Sequence, residues 1–93
     1  MREKAIEKKL KIETEKIGGL ALKFVSPGLD GIPDRLVLLP GGRFAFIELK
    51  APGKIMRPLQ VKRTRQLEAL GFSVYCIDSK EQIGGILDEI QTA

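Results

Sequence analysis

The chain reads as an α/β domain, a mixed sheet flanked by helices in the order α-β-β-β-α-β-α. Three observations predict it. Hydrophobic periodicity changes from helical spacing before Gly18 to alternation in the runs between Leu20 and Leu49. Pro40-Gly41-Gly42 joins two of those runs tightly enough for an antiparallel hairpin. The second half then presents a helical stretch followed by one more strand, so a right-handed crossover and a parallel pair are required.

Residues 2–17 form the first helix, with Ile6, Leu10 and Ile17 on one stripe and Gly18-Gly19 as its stop. Leu20 to Val25 alternates as a strand, Leu20, Leu22 and Phe24 sharing a face. Ser26 to Pro33 holds two glycines and two prolines and is a loop. Asp34–Leu39 and Arg43–Lys50 are the hairpin strands, and residues 51–58 a second loop. Pro58 suits the first turn of a helix reaching about Leu70, with Gly71 past its end. Ser73–Ile77 is the fourth strand. Ser79 with Gln82 three residues on signals a capping box for a last helix carrying Ile83, Ile86, Leu87 and Ile90. Gly84-Gly85 should weaken that helix. The apolar runs are short and need cover on both faces, which the helices supply.

Ninety-three residues, 43% of them hydrophobic, make one domain with one core, residues 1–93, and exclude a disordered chain. No apolar run approaches a membrane span, and the charged N-terminus lacks the apolar stretch of a signal peptide. The lone Cys76 cannot form an internal disulfide and lies in the run Val74–Ile77, so a reducing cytoplasm and a core position are expected. The absence of histidine removes Ser-His-Asp and Cys-His catalysis and histidine-based zinc sites. Hydrolytic chemistry here has to run on carboxylates, lysine and metal.

Glu48-Leu49-Lys50 ends the third strand. On a strand, side chains two apart share a face, so Glu48 and Lys50 project together and Leu49 leaves its carbonyl between them. In a hairpin, Asp34 falls across from Glu48. Two carboxylates and a carbonyl suit Mg²⁺ or Mn²⁺, and a lysine beside them can act on water or phosphate. Residues 50–65 add a basic block without an acid: Lys50, Lys54, Arg57, Lys62, Arg63 and Arg65, within a chain of net charge +4. A polyanionic substrate is implied. Taken singly, these features have ordinary explanations. Asp34 can end a turn after Pro33, Glu48 and Lys50 can be an edge-strand pair, Gln60 a polar residue of a first helical turn, and the basic run a solvated face. Their joint occurrence favours the site.

The order of elements, with Pro33-Asp34, then Glu48-Leu49-Lys50, then Gln60, resembles the PD-(D/E)xK nuclease superfamily, whose restriction-endonuclease-like core is αβββαβ, here with an added C-terminal helix. Gly31-Ile32-Pro33-Asp34-Arg35 and Ile47 to Gly53 resemble the virus-type replication-repair nuclease (VRR-NUC) family over nearly the whole chain. The resemblance implies that Asp34, Glu48 and the Leu49 carbonyl ligate the metal, Mg²⁺ with Mn²⁺ as substitute. Lys50 would orient the attacking water or stabilise the pentacovalent phosphate, and Gln60 would support the water at the metal or Lys50. An acid on the first helix commonly completes such a site. Glu7 fits best, beside the inner stripe of Ile6 and Leu10, with Glu3 as its rival. Thr64 stands where the wider superfamily places a tyrosine. Lys54, Arg57, Lys62, Arg63 and Arg65 would hold DNA, branched DNA and four-way junctions above all. Two symmetric cuts by one-site chains argue for a homodimer. A bacterial or phage-encoded cytoplasmic protein is implied. A catalytically inactive binding module and a nuclease subunit that needs a targeting partner remain as alternatives.

Overall fold

The computed structural model describes residues 2–93. Helix α1 (Glu3–Lys16) is followed by β1 (Leu20–Lys23), β2 (Arg35–Leu39), β3 (Arg43–Leu49), α2 (Pro58–Ala69) and β4 (Val74–Ile77). A 3₁₀ turn, Lys80–Gln82, then leads into α3 (Ile83–Thr92). The strands lie in the order β1-β2-β3-β4, the first two pairs antiparallel and the last parallel. The sheet is mixed, as the crossover through α2 requires. Arg35 faces Ile47 in the β2–β3 register, which sets Asp34, one residue before β2, opposite Glu48.

The α1 stripe buries Ile6, Leu10 and Thr14 against the sheet. Thr14 satisfies its hydroxyl by donating to the Leu10 carbonyl at 2.7 Å, the back-bond that lets a polar residue sit on an apolar face. Val37, Leu39, Ala45, Ile47, Leu49 and Ile77 point to the same side and meet Ile83, Leu87 and Ile90 of α3. This side is the core. The Ser79–Gln82 capping box forms on the 3₁₀ turn that leads into α3 rather than on α3 itself, Gln82 Oε1 accepting from the Asp78 and Ser79 amides at 2.8 and 3.2 Å. Despite Gly84-Gly85, α3 is continuous, because Ile83, Leu87 and Ile90 anchor it.

The other face is only partly covered. Phe24, Phe44, Phe46 and Phe72 form an aromatic cluster there with centroids 5.5–6.1 Å apart. Leu20, Leu22, Phe44 and Phe72 stay substantially exposed, and Gln60 is the one residue of α2 that is buried. The expectation of helical cover on both faces therefore holds for one face and fails in part for the other. Cys76 belongs to this second face and is exposed, not a core residue.

Candidate active site

Strand alternation arranges the second face in rows. Leu20, Leu38 and Phe44 form one, and Leu22, Leu36, Phe46 and Val74 the next. The row beyond brings Asp34, Glu48 and Cys76 side by side, where the apolar rows end and the two loops begin. Polar groups thus converge at one end of an otherwise apolar face.

Glu48 is 2% exposed. Its Oε2 accepts from Gln60 Nε2 at 2.8 Å and lies 3.4 Å from Lys50 Nζ. Its Oε1 is buried without any partner. A buried carboxylate oxygen with nothing to accept from is costly and calls for a ligand. Burial first, and then the nearby Asp34 charge, push the Glu48 carboxyl above its ordinary value, against the pull of Lys50. Asp34 is half-buried, and its Oδ2 accepts from the Leu49 amide at 3.1 Å. This bond holds the start of β2 to the end of β3, beside the Leu49 carbonyl.

Gln60 is fixed from two sides. Its Oε1 accepts from the Arg57 amide at 2.9 Å, closing the first turn of α2, so its Nε2 must face Glu48. Gln60 therefore orients Glu48 directly, a more specific part than the support for water or Lys50 expected of it. The sequence signal was available: Gln60 is the third residue of a helix whose start Pro58 marks.

Glu7 does not join the cluster. It is ion-paired with Arg35, whose side chain is 14% exposed and points to the α1 side of the sheet with Val37 and Leu39. Glu48 lies on the opposite side. The expected role of Glu7 as a metal ligand is thus corrected: it holds α1 to β2 through Arg35, a partner that sequence reasoning overlooked. Glu3, its rival, is exposed in the first turn of α1. Among the described residues, no three His, Cys, Asp or Glu side chains come together around one point.

Of the basic block, Lys54, Arg57, Lys62 and Arg65 are exposed. Arg63 is half-buried and committed within the chain: its Nε donates to the Asp30 carbonyl at 2.8 Å and its Nη1 to Gln66 at 2.9 Å. It pins the Ser26–Pro33 loop to α2. Gly31 allows this approach, since a Cβ there would lie 2.7 Å from Leu59 Cγ, on a backbone with φ of +83°. Beside the junction, Asp30, Gly31, Arg57, Pro58, Leu59 and Gln60 line an open cleft of about 450 Å³.

No family model matches the chain. It is 52% identical over 81 residues to "Putative nuclease p44" of Acyrthosiphon pisum secondary endosymbiont phage 1, covering 87% of both chains. A solved VRR_NUC domain superposes with a TM-score of 0.85 at 30% identity, over 92% of this chain and 94% of that one. No helix among the described residues is long and apolar enough to cross a membrane.

Proposed function

The chain belongs to the VRR-NUC family of nucleases, and from that premise we propose that it is a Mg²⁺-dependent endonuclease acting on branched DNA, the four-way junction above all, as a homodimer. The observation that carries the metal requirement is the buried, unpartnered Oε1 of Glu48. The donor set fits a small hard cation. Glu48, Asp34 and the Leu49 carbonyl are all oxygen donors, and Mg²⁺ commonly takes one or two carboxylates and fills its remaining positions with water and phosphate. Mn²⁺ should substitute. The neighbouring Cys76 is a soft donor, poorly matched to Mg²⁺, which leaves the hard oxygen donors to define the site.

When bound, the cation lowers the pKa of water and neutralises charge on the phosphate. The chain's own residues do the rest. Glu48 and Asp34 set the position from which water attacks the phosphorus in line. Gln60, locked by the helix cap, keeps Glu48 in one rotamer. Lys50, whose Nζ lies 3.4 Å from Glu48 Oε2, is the ammonium paired with the buried carboxylate. It orients the water and meets the charge that develops on the phosphoryl oxygens. Lys54, Arg57, Lys62 and Arg65 supply phosphate contacts that position without reading sequence, so selection falls on shape.

The dimer follows from the need for two cuts by chains that carry one site each, and the half-covered apolar face favours it. Leu20, Leu22 and Phe44, exposed on two adjacent rows of that face, offer uncharged surface suited to a second copy rather than to DNA. The test incubates the purified protein with labelled linear, flap and four-way DNA, with and without Mg²⁺. Metal-dependent cutting of branched substrates is expected. Binding without cutting under every metal condition would instead favour a non-catalytic binding module, and cutting only after addition of cell extract a subunit that needs a targeting partner.

A further inference from the structure

Ile55 is 85% exposed, more than any other large hydrophobic residue among those described. It stands between Lys54 and Arg57 on the loop that joins the Glu48–Lys50 strand end to the Gln60 helix. Isolated apolar residues on a surface are common and by themselves mean little. What distinguishes Ile55 is how it is presented and what surrounds it. Gly53, with φ of +79°, and a 3.0 Å bond from the Lys54 amide to the Ala51 carbonyl close a turn immediately before it. Met56, immediately after it, is turned inward and half-buried, its sulfur accepting from the Thr64 hydroxyl at 3.7 Å. Anchored on both sides, the chain holds Ile55 outward.

The surroundings identify a partner. From Lys50 to Pro58 the segment carries three basic side chains and no acid. A protein groove for an isolated isoleucine would not need this positive frame, whereas a nucleic acid offers both elements at once. Phosphates meet the exposed Lys54 and Arg57, and the apolar stacking surface between bases meets the isoleucine. Ile55 lies five residues from Lys50 and five from Gln60. It is therefore within about 17 Å of the site even if the chain were fully extended, or about five base steps at 3.4 Å each.

We infer that Ile55 is a wedge that inserts between bases close to the scissile phosphate and unstacks that step. This deepens the nuclease reading above and rests on it. Unstacking costs a few kcal/mol per step, and least where the stack is already interrupted. The wedge therefore supplies selection for branch points without base readout. The step is non-covalent, and Ile55 acts on substrate conformation rather than on the reacting atoms.

The experiment places 2-aminopurine at successive steps around the crossover of a four-way junction and follows its fluorescence on binding, with Ca²⁺ in place of Mg²⁺. Wild type is expected to raise the signal at one or two adjacent steps. Ile55→Ala should lose this rise. Its cleavage of the fully paired junction should fall by at least about tenfold, given the cost of unstacking. A substrate already gapped at the same step should be cut by both proteins at similar rates. Lys54→Ala, which removes charge only, should weaken binding but keep the fluorescence rise. The wedge is overturned if wild type produces no rise, if it fails to bind the junction, or if Ile55→Ala behaves as wild type. Equal losses on paired and gapped substrates would also overturn it, because they point to a structural part for Ile55. Absence of cleavage by wild type, with the fluorescence rise present, would instead count against the nuclease reading alone.

Discussion

At the scale of residues, Glu48, the proposed metal ligand, is a source of instability in the metal-free protein. Its folded-state pKa lies above the ordinary value of 4.5, so between the two values the folded protein holds more protons than the unfolded one. Stability then falls as pH rises through that window and stays reduced above it. Removing the charge should relieve the penalty. Glu48→Gln is expected to melt higher than wild type at neutral pH in EDTA, with a gap that closes below about pH 4.5. Saturating Mg²⁺ should raise wild type and leave the variant unmoved. Equal melting profiles across pH would show that Glu48 is not strained, and cleavage by the variant at wild-type rate would remove it from the site. Lys50 separates chemistry from binding. Lys50→Ala should keep DNA affinity and lose about 10²–10³-fold in rate, the usual cost of one transition-state donor. Lys50→Arg should rescue incompletely, its planar fork replacing a compact ammonium. Equal factors in affinity and rate would reduce Lys50 to a phosphate contact. The pairing of Asp34 with Glu48 was legible because strand alternation and a Pro-Gly-Gly turn determine facing positions without tertiary knowledge. The fate of Glu7 was not: its partner Arg35 is 28 residues away, on the face of β2 that packs against α1.

At the scale of elements, the sequence was most informative where a local rule acts alone and least where two elements compete for cover. Pro58 and Gly71 bracket α2 because one lacks an amide hydrogen that the first turn does not need and the other takes φ of +99°. The same local rule that caps α2 also aims Gln60 at Glu48, so a helix start and a site are built by one side chain. Cys76 was misjudged for the opposite reason. Alternation assigns it to a face, but only the placement of α2 decides whether that face is covered. Helix α3 is a further case, in which packing overrides propensity. Its Gly84 and Gly85 have open space where a Cβ would stand, so nothing in the packing requires glycine at either position. Gly84→Ala and Gly85→Ala should each stabilise the protein by about 0.5–1 kcal/mol, raising Tm by roughly 2–8 °C for a domain of this size. The contrast is Gly31→Ala, which places a methyl group 2.7 Å from Leu59 on a left-handed backbone. It should destabilise the protein and loosen the loop that leads to Pro33-Asp34, lowering cleavage. Thermal melts of the three variants check both signs.

At the scale of the whole molecule, the exposed cations cluster apart from the apolar patch on β1 and β3, and that separation suits the proposed pairing of DNA with one surface and a second copy with the other. The exposed cations Lys54, Arg57, Lys62 and Arg65 lie on the loop before α2 and on α2 itself, whereas Leu20, Leu22 and Phe44 lie on β1 and β3. DNA has no use for the second group, and water is a poor neighbour for it. In the proposed dimer, a second copy placed there would bury the patch, double the grip on the phosphate backbone and present two metal sites to two strands. The dimer should therefore dissociate when the patch is charged. Leu22→Lys or Phe44→Lys is expected to give a monomer by light scattering, folded because both side chains are already substantially exposed. Thermal stability in EDTA checks the folding, and Mg²⁺-induced stabilisation checks that the metal site survives. Affinity for a four-way junction should drop towards that for linear duplex of equal length. Salt dependence provides a second measure, because each phosphate that is no longer neutralised flattens the log-log slope by about 0.9 for duplex DNA. The monomer should thus show about half of the wild-type slope, whereas Lys54→Ala in an intact dimer frees one phosphate per chain and flattens it by roughly 1.8. A wild-type protein that is monomeric at micromolar concentration and grips junction and duplex equally would sink the resolvase reading. Metal-dependent cleavage by such a monomer would leave the nuclease reading standing, with branch selection left to features within one chain.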